Sequence, residues 1–160
     1  YLYKFIDPSK SVNTRTEDKS TNPWIYFRYG EILLNHAEAK FELGEEDVAR
    51  KYINQIRARV NMPPINDSGD NLKEKIRHER RIELAFEGHR FFDVRRWKIL
   101  EDVSEKQILG MQIRMNENGV KSYNIKEVAP VAYYEQHLRL PIPRTEIDKS
   151  RGVLIQNTGY

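Results

Sequence analysis

The sequence contains no cysteine. That excludes a disulfide, a thiolate metal site and a cysteine nucleophile within the chain. No apolar run approaches the roughly 18 residues that would suggest a membrane-spanning helix. Chemical motifs are absent too: there is no G-x-S-x-G, no G-x-G-x-x-G and no P-loop. The four histidines, His36, His78, His89 and His137, include no i,i+4 pair, so no metal site is read from them. Excess charge of one sign is small, net +3 from 27 basic and 24 acidic residues. The two signs are interleaved throughout, whereas nucleic-acid domains concentrate their excess on one face, so no nucleic-acid partner is expected. The start, "YLYKFIDP", has neither a methionine nor a signal-like segment. The expectation is a piece of a longer protein.

What is present is a charge-rich globular chain of 160 residues, 39% hydrophobic and 32% charged. That length fits one domain with a core of ordinary size. Residues 1–22 read as an irregular polar lead-in, with a short edge strand possible where Tyr1, Tyr3 and Phe5 alternate. A first helix is expected over 23–43, with Pro23 in its first turn and Gly44 just beyond its end. A second, over 45–60, has acids in its first turn and Arg57 and Arg59 in its last. So short a connection predicts an antiparallel helical hairpin. Ala37, Gly44, Ala49, Ile53 and Pro63 partly match one tetratricopeptide unit. A third helix is expected from about Asn71 to Glu87, stopping at Gly88, with a short helix continuing through "HRFFDVRRWKIL".

"GMQIRMNENGVKSYNIK" (110–126) predicts a β-hairpin. A three-residue loop, Glu117-Asn118-Gly119, sets Ile113 opposite Tyr123 and Met111 opposite Ile125. That register gives one continuous apolar face, expected to pack inward, with Gly119 at positive φ. The tail is extended around Pro141 and Pro143, and Thr145-Glu-Ile-Asp resembles a capping box. The fold class read from the sequence is mainly α: a tetratricopeptide-like hairpin, further helices, a small β-hairpin and an extended C-terminal tail.

One stretch concentrates charge among large rings, "ERRIELAFEGHRFFDVRRWK" (79–98). Glu79, Glu83 and Glu87 stand four apart on one helix face. Two of them could form a glycosidase carboxylate pair, but such pairs line open clefts and usually come from separate elements. The favoured reading is neutralisation of arginines inside the fold. Leu72, Ile76, Ile82 and Phe86 fall within one arc of the third helix, with Glu79 and Glu83 in its middle. A buried carboxylate needs a partner, and arginine suits it with a planar fork. The candidates are Arg28, Arg57, Arg59, Arg95 and Arg96. The rings Phe86, Phe91, Phe92 and Trp97, at helical spacing, are expected in the core.

Four segments, "FRYGEILLNHAEAKFELG", "INQIRARVNMPPI", "IRHERRIELAFEGHRFFDVRRWK" and "LRLPIPRTEIDKSRGVLIQNTGY", occur in the order seen in SusD/RagB-like proteins. The chain resembles that family from Phe27 to its end. It departs at Gly30, where Ala is usual, at Val94 for Leu and at Thr158 for Pro. The resemblance implies a C-terminal portion, residues 1–160 as a single domain, of a surface glycan-binding lipoprotein of Bacteroidetes outer membranes. It implies capture of oligosaccharides for import through a SusC-like TonB-dependent transporter, with no catalysis and no cofactor. The lipid anchor and most of the sugar site would lie upstream. No sugar site is therefore expected wholly within these residues, and Trp24, Trp97, Tyr133 and Tyr134 are the rings least firmly claimed by packing. The competing reading is a helical-hairpin interaction scaffold that binds no sugar.

Overall fold

The computed structural model describes residues 4, 5, 7, 22–104, 108–130 and 132–160. The possible edge strand at Tyr1 and Tyr3, and most of the polar lead-in, lie outside the described residues. The chain divides into two compact units, Tyr1–Arg90 and Phe91–Tyr160.

The first unit holds three helices, α1 (Tyr29–Glu42), α2 (Glu46–Arg59) and α3 (Gly69–Glu83). Only Leu43, Gly44 and Glu45 separate α1 from α2. The Glu45 N–H bonds the Lys40 carbonyl and the Gly44 N–H bonds that of Phe41, the paired closure of a Schellman motif. Gly44 makes it possible, at φ +79°. Ala37, Ala49, Ile53, Ile65, Leu72 and Ile76 form one buried cluster. Leu33, Leu34, Ile56 and Leu84 form a second, and Tyr52 packs against both. The link from α2 to α3 is clamped by side chains. The Asn54 amide bonds both the N–H and the carbonyl of Ile65, and Glu46 accepts the Gly69 N–H at the start of α3.

Two boundaries differ from the sequence expectation. The first helix begins at Tyr29, not at Pro23. Residues 24–27 are Trp-Ile-Tyr-Phe, which favour extended backbone, and Arg28 is itself extended, at φ −147° and ψ 156°. The third helix ends at Glu83, four residues before Glu87. Phe86 and Gly88 both turn to positive φ, and the Glu83 and Ala85 carbonyls bond side chains from elsewhere in the unit. The early ending changes the buried face. Leu72, Ile76, Arg80 and Leu84 are buried, while Ile82 and Phe86 are exposed.

In the second unit, α4 (His89–Arg96, opening in the first unit) stops where Lys98 adopts φ +56°, and α5 (Leu100–Ser104) follows. The short helix expected over 89–100 thus ends at Arg96, and α5 lies almost wholly beyond it. Phe91 and Phe92 are exposed, against the expectation of core rings. Strands β1 (Ile108–Met115) and β2 (Lys121–Ala129) pair antiparallel, with Ile113 opposite Tyr123 and Met111 opposite Ile125. Gly119 sits at φ +76°, and the Asn116 side chain accepts the N–H groups of Asn118 and Val120 across the loop. The register is the one argued from the apolar pattern. The burial is not: Met111, Ile113, Tyr123 and Ile125 are all exposed. The tail carries a single 3-10 turn (Glu135–Leu138) and α6 (Arg144–Lys149). The N-cap of α6 is Pro143, with no side-chain capping bond, so Thr145 does not form the expected box.

Candidate functional site

Two features stand out by their chemistry. The first is a ladder of carboxylates at the end of α3. Glu79 Oε2 lies 2.6 Å from Nη1 of Arg57, which α2 supplies. Glu83 lies 2.6 Å from Nη1 of Arg28 and 2.9 Å from Nη2 of Arg59. Glu87 lies 2.7 Å from Nε of Arg28 and 2.5 Å from Nζ of Lys4. Arg28 and Lys4 also donate to the Glu83 carbonyl, and Lys4 to that of Ala85, so they satisfy carbonyls that the end of a helix leaves open. The Glu79 and Glu83 side chains are 12% and 14% exposed and that of Glu87 only 5%.

Burial alone would push the Glu87 carboxyl up. The hydrogen bonds and charges of Arg28 and Lys4 outweigh it, and the net direction is below the ordinary carboxylate value. Gly30 shapes the same place. A Cβ there would stand 2.6 Å from Arg28 Nη1 and 3.1 Å from Glu83 Oε1. The residue that departs from the family pattern leaves room for the guanidinium.

Of the residues singled out from sequence, the structure brings together Glu79 with Arg57, and Glu83 with Arg28 and Arg59. Arg95 and Arg96 belong to the second unit, and each has a partner close in sequence. Arg95 donates to the Phe91 carbonyl, and Arg96 pairs with the buried Asp93 at 3.1 Å. Lys4 was not among the expected partners, and Glu87, read with Glu79 and Glu83 as an acid that neutralises arginines, was given no partner of its own. Glu87 continues the four-residue spacing of Glu79 and Glu83, a usable signal, whereas Lys4 lies 83 residues from Glu87 in sequence. The contact of Glu31 with His89, at 3.7 Å, had no sequence signal either.

The second feature is a cleft of about 740 Å³ in the second unit. One wall is the C-terminal tail. Gln156 bonds both the N–H and the carbonyl of Ile142, and Asn157 donates to the Leu140 carbonyl. The Tyr160 hydroxyl lies 3.1 and 3.0 Å from the carbonyls of Gln136 and Arg139. Gly159, at φ +97°, runs so close to the 3-10 turn that a Cβ would meet Gln136 Oε1 at 2.6 Å and its Cβ at 2.7 Å. The Q-N-T-G-Y ending is therefore a set of docking residues that hold the tail against 135–142. Tyr134, 61% exposed, lines the cleft and keeps an edge contact with His137 at 5.3 Å. Arg95, Lys98 and Arg139 line it too, against the single carboxylate of Glu135. A further hollow, in the first unit between Phe41 and Ile76, measures about 10 Å³, room for roughly one water. Among the described residues no cluster of three potential metal ligands occurs, and no helix is long and apolar enough to cross a membrane.

The family model for the SusD family matches residues 1–160, the whole length. The chain belongs to the SusD family. SusD-like protein P2 of Formosa agariphila is 31% identical over an alignment that takes in 100% of this chain and 30% of that protein. A crystal structure of a SusD-like protein from Bacteroides fragilis superposes with TM-score 0.72 at 41% identity, over 86% of this chain and 26% of that one. Surface glycan-binding protein A from Bacteroides thetaiotaomicron superposes with TM-score 0.54 at 28% identity, over 84% of this chain and 24% of that one. The chain thus spans about a third or less of the length of these relatives. The mainly helical architecture with one small antiparallel hairpin is the architecture of this SusD-like region.

Proposed function

We propose that this chain is the C-terminal portion of a SusD-like cell-surface subunit that binds glycans and hands oligosaccharides to a SusC-like TonB-dependent transporter in the outer membrane. The observation that carries the reading is the family match along all 160 residues, joined to a structural relative whose own name is that of a surface glycan-binding protein. In this reading the protein is a surface lipoprotein and not an enzyme. The carboxylates that could have suggested a glycosidase are held by arginines and a lysine. Glu79, Glu83, Arg28, Arg57 and Arg59 then serve architecture: they fix α2 and the entry to α1 against the end of α3.

The test is affinity capture from cells of the source organism with this subunit tagged in its full-length form, together with binding to a glycan array. Co-purification of a TonB-dependent transporter and glycan binding are the expected results. Capture of unrelated soluble proteins with no glycan bound would favour the interaction-scaffold reading. Sustained hydrolysis of any arrayed glycan by the pure protein would reopen the catalytic one.

A further inference from the structure

The cleft in the second unit carries a charge imbalance that glycan binding in general does not require. Among the described residues that line it, Arg95, Lys98 and Arg139 face one carboxylate, that of Glu135. Among the described residues neither Lys98 nor Arg139 forms a salt bridge. Like charges gathered without partners repel one another, and the repulsion is relieved when an anion enters.

Arg95 is held in place before any ligand arrives. Its guanidinium lies 3.6 Å over the Phe91 ring and donates to the Phe91 carbonyl. Its Nε is buried with no acceptor. A buried donor without an acceptor is costly, and natural structures rarely keep one without a reason. That buried Nε faces away from solvent, so it is the outer nitrogens of the preset guanidinium that suit the oxygens of a carboxylate or a sulfate. Beside these cations stands Tyr134, an exposed ring whose edge contact with His137 limits its motion. A rigid aromatic face presents an apolar surface of the kind the C–H face of a sugar ring can cover. The volume, about 740 Å³, falls in the range of roughly 300–1,000 Å³ usual for small-molecule sites.

We infer that this cleft binds an acidic saccharide, one carrying carboxylate or sulfate groups. Tyr134 carries a sugar face, and Arg95, Lys98 and Arg139 receive the anionic group. The inference rests on the glycan-binding reading above and adds the ligand class and the place. It departs from the sequence expectation that no sugar site lies wholly within these residues, on Tyr134, one of the four rings that packing claimed least firmly.

The experiment titrates the 160-residue chain, its helical content checked by circular dichroism, with three probes: cellohexaose, oligogalacturonate and a sulfated carrageenan oligosaccharide. At least one acidic probe is expected to bind about tenfold or more tighter than the neutral one, a difference that weakens as salt rises. The double variant Lys98→Gln, Arg139→Gln, which removes no salt bridge seen here, should lose about tenfold for that acidic probe. Tyr134→Ala should weaken it as well. The carboxylate and sulfate arms then tell which anion is preferred. Binding of cellohexaose as tight as that of both acidic probes would overturn the inference and leave the glycan reading standing. So would acidic binding that the double variant does not change, since the site would then lie elsewhere. Failure of a folded chain to bind any of the three would overturn the inference, and failure of the full-length protein on the glycan array would overturn the broader reading.

Discussion

Arg28→Met removes the centre of the carboxylate ladder while keeping an unbranched apolar stem of similar length. Three bonds go with it: Nη1 to Glu83 Oε1 at 2.6 Å, Nη2 to the Glu83 carbonyl at 2.5 Å and Nε to Glu87 Oε2 at 2.7 Å. Hydrogen bonds to charged groups are worth about 1.5–3 kcal/mol each, but they do not add when partners are shared. Glu83 keeps Arg59, and Glu87 keeps Lys4. Breaking a fully buried pair costs about 3–5 kcal/mol. Here the Arg28 side chain is 23% exposed, so solvent offsets part of the loss. The expected destabilisation is therefore about 2–4 kcal/mol, a large share of the roughly 5–15 kcal/mol that holds a typical domain folded.

Arg59→Met is the internal control. It also pairs with Glu83, at 2.9 Å, but its side chain is 61% exposed. An exposed pair is worth about 0–1 kcal/mol. Urea denaturation followed by far-UV circular dichroism, which reports the α1–α3 helices, measures both. With a slope of about 2 kcal/mol per molar urea, the Arg28 variant should shift the midpoint down by about 1–2 M and the Arg59 variant by a few tenths. Equal shifts for the two variants would refute the reasoning, because burial would then not decide the value of these pairs.

Three further outcomes follow from the same geometry. Gly30→Ala should cost stability in the parent, where its Cβ meets Arg28 Nη1 at 2.6 Å, and should cost less in the Arg28→Met background, where the guanidinium is gone and Glu83 Oε1 at 3.1 Å remains; a double-mutant cycle on denaturant midpoints checks this, and an equal cost in both backgrounds would contradict it. Glu87 has a folded-state pKa below its unfolded value, so its contribution is present above the ordinary value of about 4.3 and is lost as pH falls through the folded pKa. The parent's midpoint should therefore fall more steeply than that of Glu87→Gln as pH is lowered from about 5 towards 3, as pH-dependent unfolding curves will show. Gly159→Ala meets both a positive φ and a Gln136 side chain 2.6 Å away, and should release the tail, read as faster amide exchange at 156–160 with the α1–α3 helices unaffected.

Local chemistry was legible in the sequence, and long-range closure was not. Gly44 and Gly119 could be placed at positive φ because the flanking patterns demanded a turn there. The hairpin register followed from pairing apolar positions, yet the same pattern could not tell whether anything covers that face, and Met111 and Ile113 are exposed. Helix ends were misjudged where side chains from afar decided them. Arg28 and Lys4 close the carbonyl end of α3, and neither is near it in sequence. The cleft was missed for the same reason. Its lining comes from 95–98, from 134–139 and from 158–159, three segments that no local window joins.

The ladder shows why charges, and not only apolar contacts, stand at this junction. An apolar stripe can slide by a turn, about 5.4 Å or roughly four residues, and still meet apolar partners. The ladder discriminates against one such slip. Moving α3 one way would bring Lys75 to the place of Glu79 and set it against Arg57, a like-charge pair where a 2.6 Å ion pair now sits. Glu87 lies past the end of the helix, where Phe86 turns to positive φ, so its bonds to Lys4 and to Nε of Arg28 anchor the turn that follows α3 and not the helix face. In that slip Glu79 would still meet Arg28 and Arg59, so the penalty falls at Arg57, and the pair of Arg57 with Glu79 fixes the register of α3 against α2.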